Sequence, residues 1–150
     1  MNALATLPAI QPYVVSLIVL CLNAIGLANA SALTRAQANE AINPEDVKLN
    51  KKPLEVVYEG GNDRTARYRR AHRNALENTP IFMISAFVLT MMGTSATIGA
   101  ALFYPYAAFR ILHSICYVKS IQPFRTVFFV LALLLQVAVL GLIGYGTFAG

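Results

Sequence analysis

Arg67, Arg69, Arg70 and Arg73 crowd together just before Glu77, and the apolar stretch IFMISAFVLTMMG follows almost at once. On a helix, Arg70, Arg73, Asn74 and Glu77 stand at i, i+3, i+4 and i+7, which is one face. A second row with the same spacing, Arg110, His113, Ser114 and Tyr117, lies in RILHSICY. Arg125 and Thr126 follow in QPFRT, and Arg35 closes an earlier apolar run in LTR. Arg35, Arg70, Arg73, Arg110 and Arg125 face a single carboxylate, Glu77. A surplus of positive charge in a low-dielectric setting calls for an anion. The chemistry implied is capture of a small, water-soluble polyanion that also carries a cationic group for Glu77 to hold. The competing reading is structural: arginines at span ends snorkel to headgroups, and Arg110 locks two helices by pairing with Glu77. Cys21 and Cys116 form no C-x-x-C pair and no zinc-type spacing with histidine, so they read as buried apolar thiols and no metal site is expected.

The elements that must position these groups are helices in a bilayer. The chain has 150 residues, is 57% hydrophobic and is only 13% charged, which is too apolar for an ordinary soluble domain. Four apolar runs, about residues 13–33, 75–92, 96–118 and 124–148, each approach the ~20 residues a spanning helix needs. The expected fold is therefore all-α, a single integral-membrane four-helix domain over residues 1–150. The first run lacks a positive leading region and is too long for a signal peptide, so it reads as a retained span. Nine of the 12 basic residues fall between Arg35 and Arg73, and the 119–125 turn holds two more. The positive-inside rule then places both of those loops in the cytoplasm and both termini on the other side. Either a bacterial inner membrane or the endoplasmic reticulum satisfies this.

This arrangement brings polar groups from all four helices to one side of the membrane. An arginine at the depth of Arg110 must face the bundle or a wet cavity rather than lipid. Pro80 is expected to kink the second span. Asn23, Asn29 and Gln136 are expected to join helices by hydrogen bonds. The stretch NKKPLEVVYEGGND reads as an irregular loop. Acidic residues interleave with the basic ones there, which argues against a phosphate-binding stripe and against nucleic acid. Anionic lipid headgroups account for the basic residues at the span ends.

The pattern R-x-x-R-A-H-R-N-x-x-E-N, the NPED at Asn43–Asp46 with an arginine eight residues before it, and RILHSICY together resemble the MAPEG family, the membrane-associated proteins of eicosanoid and glutathione metabolism. The resemblance runs through nearly the whole chain. It implies a homotrimer of four-helix subunits that binds glutathione between neighbouring subunits near the cytoplasmic side. Matched position by position, Arg35, Arg70, Arg73, Asn74, Glu77, His113, Tyr117, Arg125 and Thr126 fall where that family contacts glutathione. Arg125 resembles the arginine beside the thiol, and Asp46 resembles an aspartate that assists it. RAHRN is nearer to the family's prostaglandin E synthases. LEN, QPFR and Phe128-Phe129 are nearer to its glutathione transferases. Thr126 stands where the synthase has serine, and Phe129 stands where it has tyrosine.

The implied chemistry is nucleophilic attack by a thiolate. A free thiol with pKa ~8.5 is little ionised at neutral pH. An adjacent guanidinium and hydroxyl favour the anion, and a lowering of two units corresponds to about 2.7 kcal/mol. The resemblance thus implies a glutathione transferase or peroxidase acting on lipophilic electrophiles or hydroperoxides that arrive from the bilayer. Other readings remain: an endoperoxide isomerase of the prostaglandin E synthase type, a non-enzymatic lipid-binding accessory protein, and a small transporter or channel. The nearly all-apolar outer halves of the spans disfavour the last of these.

Overall fold

A computed structural model describes residues 3–49, 53–58 and 61–149. Its long helices are α1 (Ile10–Gln37), α3 (Asp63–Met91), α4 (Ala96–Val118) and α5 (Gln122–Phe148). Between α1 and α3 lie a two-residue strand β1 (Glu40–Ala41), a short helix α2 (Pro44–Leu49) and a second strand β2 (Glu55–Val56). β1 and β2 pair in parallel, so the stretch expected to be irregular contributes an ordered strand; Asn50, Lys51, Lys52, Glu59 and Gly60 of that stretch lie outside the described residues.

Each helix boundary has a local cause. Asn62 caps α3 by accepting a hydrogen bond from the Thr65 amide at 2.9 Å, and Asp63 sits in the first turn, where its charge suits the helix dipole. The apolar run begins near Ala75, and the helix that carries it begins at Asp63 and takes in Arg70, Arg73, Asn74 and Glu77. Its first turns are basic and alanine-spaced, so they form helix without being apolar. Pro80 lies within the helix and does not end it. Gly93, at φ 81°, turns the chain between α3 and α4 in a conformation that side chains rarely adopt. α4 ends with Ser120 at φ 61° and a hydrogen bond from the Ile121 amide to the Cys116 carbonyl. That is the left-handed stop that satisfies a helix's last carbonyls. Pro123 then opens α5, where its missing N–H costs nothing.

The four helices run alternately up and down, and contacts fix both ends. At one end Gly99 lies so close to α1 that a Cβ there would meet Ala9 Cβ at 2.8 Å. The Tyr13 and Phe87 rings also meet there, at 5.6 Å. Mid-bundle, Phe82 stacks on Tyr106 at 3.6 Å and meets the edge of Phe103 at 5.8 Å, within a core that includes Leu20, Ala132 and Val139. Toward the other end Leu27, Ala71 and Ala75 pack together with Tyr68, Tyr117 and Val118. Buried hydroxyls on Thr34, Ser85, Thr90 and Ser114 donate to carbonyls one turn back in their own helices.

α1 and α5 are long and apolar enough to cross a membrane, and only 22% and 17% of their most apolar windows are buried. A core helix of a soluble protein would be mostly buried. Val14, Ile18, Leu22 and Ile25 form one exposed stripe along α1 at helical spacing. Contiguous apolar surface of this kind is a face for lipid or for another protein surface. Of the three amides expected to join helices, two do so. Asn23 donates to Ser114 Oγ at 3.1 Å and Gln136 donates to Ser85 Oγ at 2.9 Å. Asn29 corrects the expectation: it is exposed on α1, because its position turns away from α3 and α4.

Candidate functional site

The two polar rows meet at the end of the bundle where α1 and α4 finish and α3 and α5 begin. On α3 the small residues Ala71 and Ala75 pack toward α1. That leaves Arg70, Arg73 and Glu77 exposed and Asn74 half-buried on the flanks. Asn74 turns toward α4. Arg110 Nη2 donates to the Asn74 side-chain oxygen at 2.6 Å and to its backbone carbonyl at 3.1 Å. The pairing of Arg110 with Glu77, raised from spacing alone, does not occur. Arg110 is 2% exposed and is directed into the bundle, whereas Glu77 is exposed. An amide offers an acceptor to the buried guanidinium without requiring a second charge to be desolvated.

One turn further along α4, His113 is buried, and its Nδ1 lies 2.9 Å from the carbonyl oxygen of Arg125. A carbonyl only accepts, so Nδ1 carries the proton and donates. Nε2, which has no partner among the described residues, is the free ring nitrogen. The imidazole therefore ties α4 to the first turn of α5. It also touches two aromatic rings, Tyr117 at 5.8 Å and Phe129 at 5.8 Å. The Arg125 guanidinium lies over the face of Tyr117, 4.7 Å from the ring centroid, within cation–π range. Arg125 is thus held twice from α4, by its backbone through His113 and by its head through Tyr117. Neither contact was legible from spacing within α4 alone.

Asn74 with Arg110, and His113 and Tyr117 with Arg125, therefore form two contact groups one turn apart on α4, the first reaching α3 and the second α5. The other expected residues stand around them. Thr126 is exposed beside Arg125 on α5. Arg35 is half-buried near the end of α1, eight residues past Leu27, or about 12 Å further along the axis. It therefore lies nearer the outer rim than Arg70 and Arg73. Asp46 is half-buried on α2 and makes no hydrogen bond or ion pair with Arg125. Arg35, Arg70, Arg73 and Glu77 form no ion pair among the described residues.

Three contacts missed by the sequence reading fix the rim. Arg67 donates to Ser120 Oγ, joining the start of α3 to the α4–α5 turn. Glu40 accepts the Asn62 amide at 2.7 Å, and Arg69 donates to the Tyr58 carbonyl at 3.0 Å. The loop that carries β1, α2 and β2 thus holds the first turns of α3. No signal for this existed in the helical spacing, because the partners lie in a segment without periodicity.

Comparison with known proteins adds two findings. The model of the MAPEG family matches residues 10–145. The human microsomal glutathione S-transferase 1 is 31% identical over 105 residues, covering 69% of this chain and 68% of that protein.

Proposed function

Because the chain belongs to the MAPEG family, whose members are broadly associated with glutathione-dependent lipid metabolism, we propose that it is a membrane-bound glutathione transferase, with peroxidase activity toward lipid hydroperoxides. The observation that carries this reading is the double anchoring of Arg125 by His113 and Tyr117 at the head of α5. A guanidinium fixed in place stabilises an anion without reorganising when the anion forms. Beside it, the Thr126 hydroxyl supplies a second donor.

In this reading glutathione brings two carboxylates, one ammonium and one thiol to the polar end of the bundle. Arg35, Arg70 and Arg73 hold the carboxylates, bidentately where the planar guanidinium fork allows. Glu77 holds the γ-glutamyl ammonium, with Asn74 beside it. His113 and Tyr117 border the pocket, and Arg125 with Thr126 stabilises the thiolate. The thiolate then attacks a lipophilic electrophile. With a hydroperoxide, it attacks the terminal oxygen, the O–O bond breaks, an alcohol leaves and the sulfur is left as a sulfenic acid; a second glutathione thiol attacks that sulfur, releases its oxygen as water and completes the disulfide. Apolar co-substrates reach the site laterally from the bilayer.

The same reading has one domain with four spans near residues 13–33, 75–92, 96–118 and 124–148. Both termini lie on the non-cytoplasmic side. Three copies assemble around the site, so that the arginines of one subunit left without an ion pair among the described residues share a ligand with its neighbour. Asp46, which makes no contact with Arg125 of its own chain, is then presented by the adjacent subunit. The similarity to a protein named glutathione S-transferase and the presence of Phe129 in place of a phenol favour conjugation over prostaglandin isomerisation.

The decisive experiment mixes the purified protein in detergent with glutathione in a stopped-flow instrument and follows ultraviolet absorbance of the thiolate. A saturable burst of thiolate at neutral pH is expected. Its absence in a protein that binds glutathione would refute thiol activation. Mass measurement of the detergent complex tests the trimer, and a fully active monomer would refute the shared site.

A further inference from the structure

A cleft of about 180 Å³ opens between α3, α4 and α5, inward of the residues assigned above to glutathione. Its walls include Ile81, Phe129, Ala132 and Leu133, and its polar lining includes Arg110 and Gln136. The mouth is apolar, since Ile81 is 55% and Leu133 47% exposed on the flank of the bundle. The interior is different. Arg110 is 2% and Gln136 8% exposed, yet Arg110 Nε and Gln136 Oε1 have no hydrogen-bond partner among the described residues.

The electrostatics of Arg110 are unfinished. Both of its hydrogen bonds use Nη2, and both go to the neutral Asn74. Among the described residues it forms no ion pair. A buried guanidinium without a counter-charge is costly at membrane depth. A carboxylate entering the cleft would supply that charge and accept from the unused Nε–H. An acceptor alone would not neutralise the cation, so the charge selects an acid over an ester.

Size and shape define the remainder of the ligand. A buried cavity of about 150 Å³ accommodates benzene, so this cleft takes a headgroup and only the first few carbons. The rest of a longer chain must lie across the mouth, along Ile81 and Leu133, where the surface is already apolar. We propose that the cleft between α3, α4 and α5 binds the carboxylate end of a single-chain lipid, with Arg110 as its counter-charge. The site lies within one subunit. It rests on the membrane-embedded reading of the chain and does not depend on glutathione binding.

The test uses the full chain in lipid nanodiscs and a fatty acid carrying a diazirine near its carboxyl end. After illumination, labelled peptides are mapped. Labelling is expected to concentrate on α3 around residues 78–81 and on α5 around residues 129–136. Unlabelled fatty acid should suppress it at a concentration at least tenfold lower than its methyl ester does. Arg110→Met should erase that preference. Leu133→Trp, which fills the mouth and leaves the charge in place, should remove the labelling while helix content by circular dichroism stays constant. That variant decides the matter if Arg110→Met does not fold. Equal competition by acid and ester overturns the proposal, as does even labelling along every apolar helix face. Complete loss of labelling on adding millimolar glutathione also overturns it, because Arg110 would then belong to the glutathione carboxylates. A protein that fails to form thiolate but still prefers the acid would sink the transferase reading and leave this one standing.

Discussion

The two ends of the bundle are built on opposite plans. At the end near Gly99, helices approach through small residues and rings. Ala9 is fully buried, Gly99 allows α4 to lie against it, and Met92 reaches the backbone at Gly146. At the other end, Arg70, Arg73, Glu77 and Thr126 remain exposed, while Asn74 with Arg110, and His113 and Tyr117 with Arg125, tie α4 to its neighbours. The first end completes itself by packing. The second supplies donors and charges left unpaired among the described residues. Packing can therefore be perturbed at one end and ligand chemistry at the other with little crosstalk, because contacts more than about 10 Å apart are usually additive.

The largest effect should come from Arg125. Arg125→Leu is expected to lower turnover by about two to three orders of magnitude while glutathione affinity falls much less, since the interaction is made chiefly with the thiolate. Arg125→Lys keeps the charge and loses the planar fork, so an intermediate rate is expected. Transferase kinetics together with thiolate absorbance read both variants, and normal thiolate formation in Arg125→Leu would transfer the role to Thr126. Glu77→Gln comes next. Losing a charge-assisted bond of roughly 1.5–3 kcal/mol corresponds to weaker binding by about one to two orders of magnitude, measurable by calorimetry. Unchanged affinity in the folded variant would remove Glu77 from the site.

At the packed end, Gly99→Val should destabilise the fold by about 1–3 kcal/mol, as overpacked cores do. Thermal unfolding should show the loss, and glutathione affinity should not move; a large loss of affinity would mean that the ends are coupled. The smallest effect is expected at Tyr117. Tyr117→Leu removes the ring face under Arg125, a contact worth about 0.5–2 kcal/mol, and should slow turnover several-fold. Tyr117→Phe keeps that face and should preserve kcat, changing KM alone if the hydroxyl touches glutathione.

This division also explains what the sequence disclosed. Hydrophobic runs and i, i+3, i+4, i+7 polar rows depend on helix geometry alone, so the gathering of Arg70, Asn74, His113 and Arg125 at one end could be read in advance. Partner choice could not. Arg110 meets Asn74 rather than Glu77 because the rotation of α4 against α3 is set by ring packing at Phe82, Phe103 and Tyr106. Hydropathy marks only the apolar part of α3, because its capping residue and first turns are polar. Asn29 and Asn23 look alike in sequence, and only their azimuth on α1 separates an exposed amide from one that reaches Ser114.

Gly61 lies at φ 76°, and a Cβ there would come within 2.5 Å of a Glu40 carboxylate oxygen. The same carboxylate receives the next amide, that of Asn62, with its other oxygen. Position 61 is therefore held to glycine twice over, by its left-handed backbone and by the acid beside it. A side chain at 61 would have to displace or shorten the acid at 40 and also take up the backbone strain, so loss of the acid alone does not free the position. In an alignment of this branch glycine should persist at 61 even where position 40 varies.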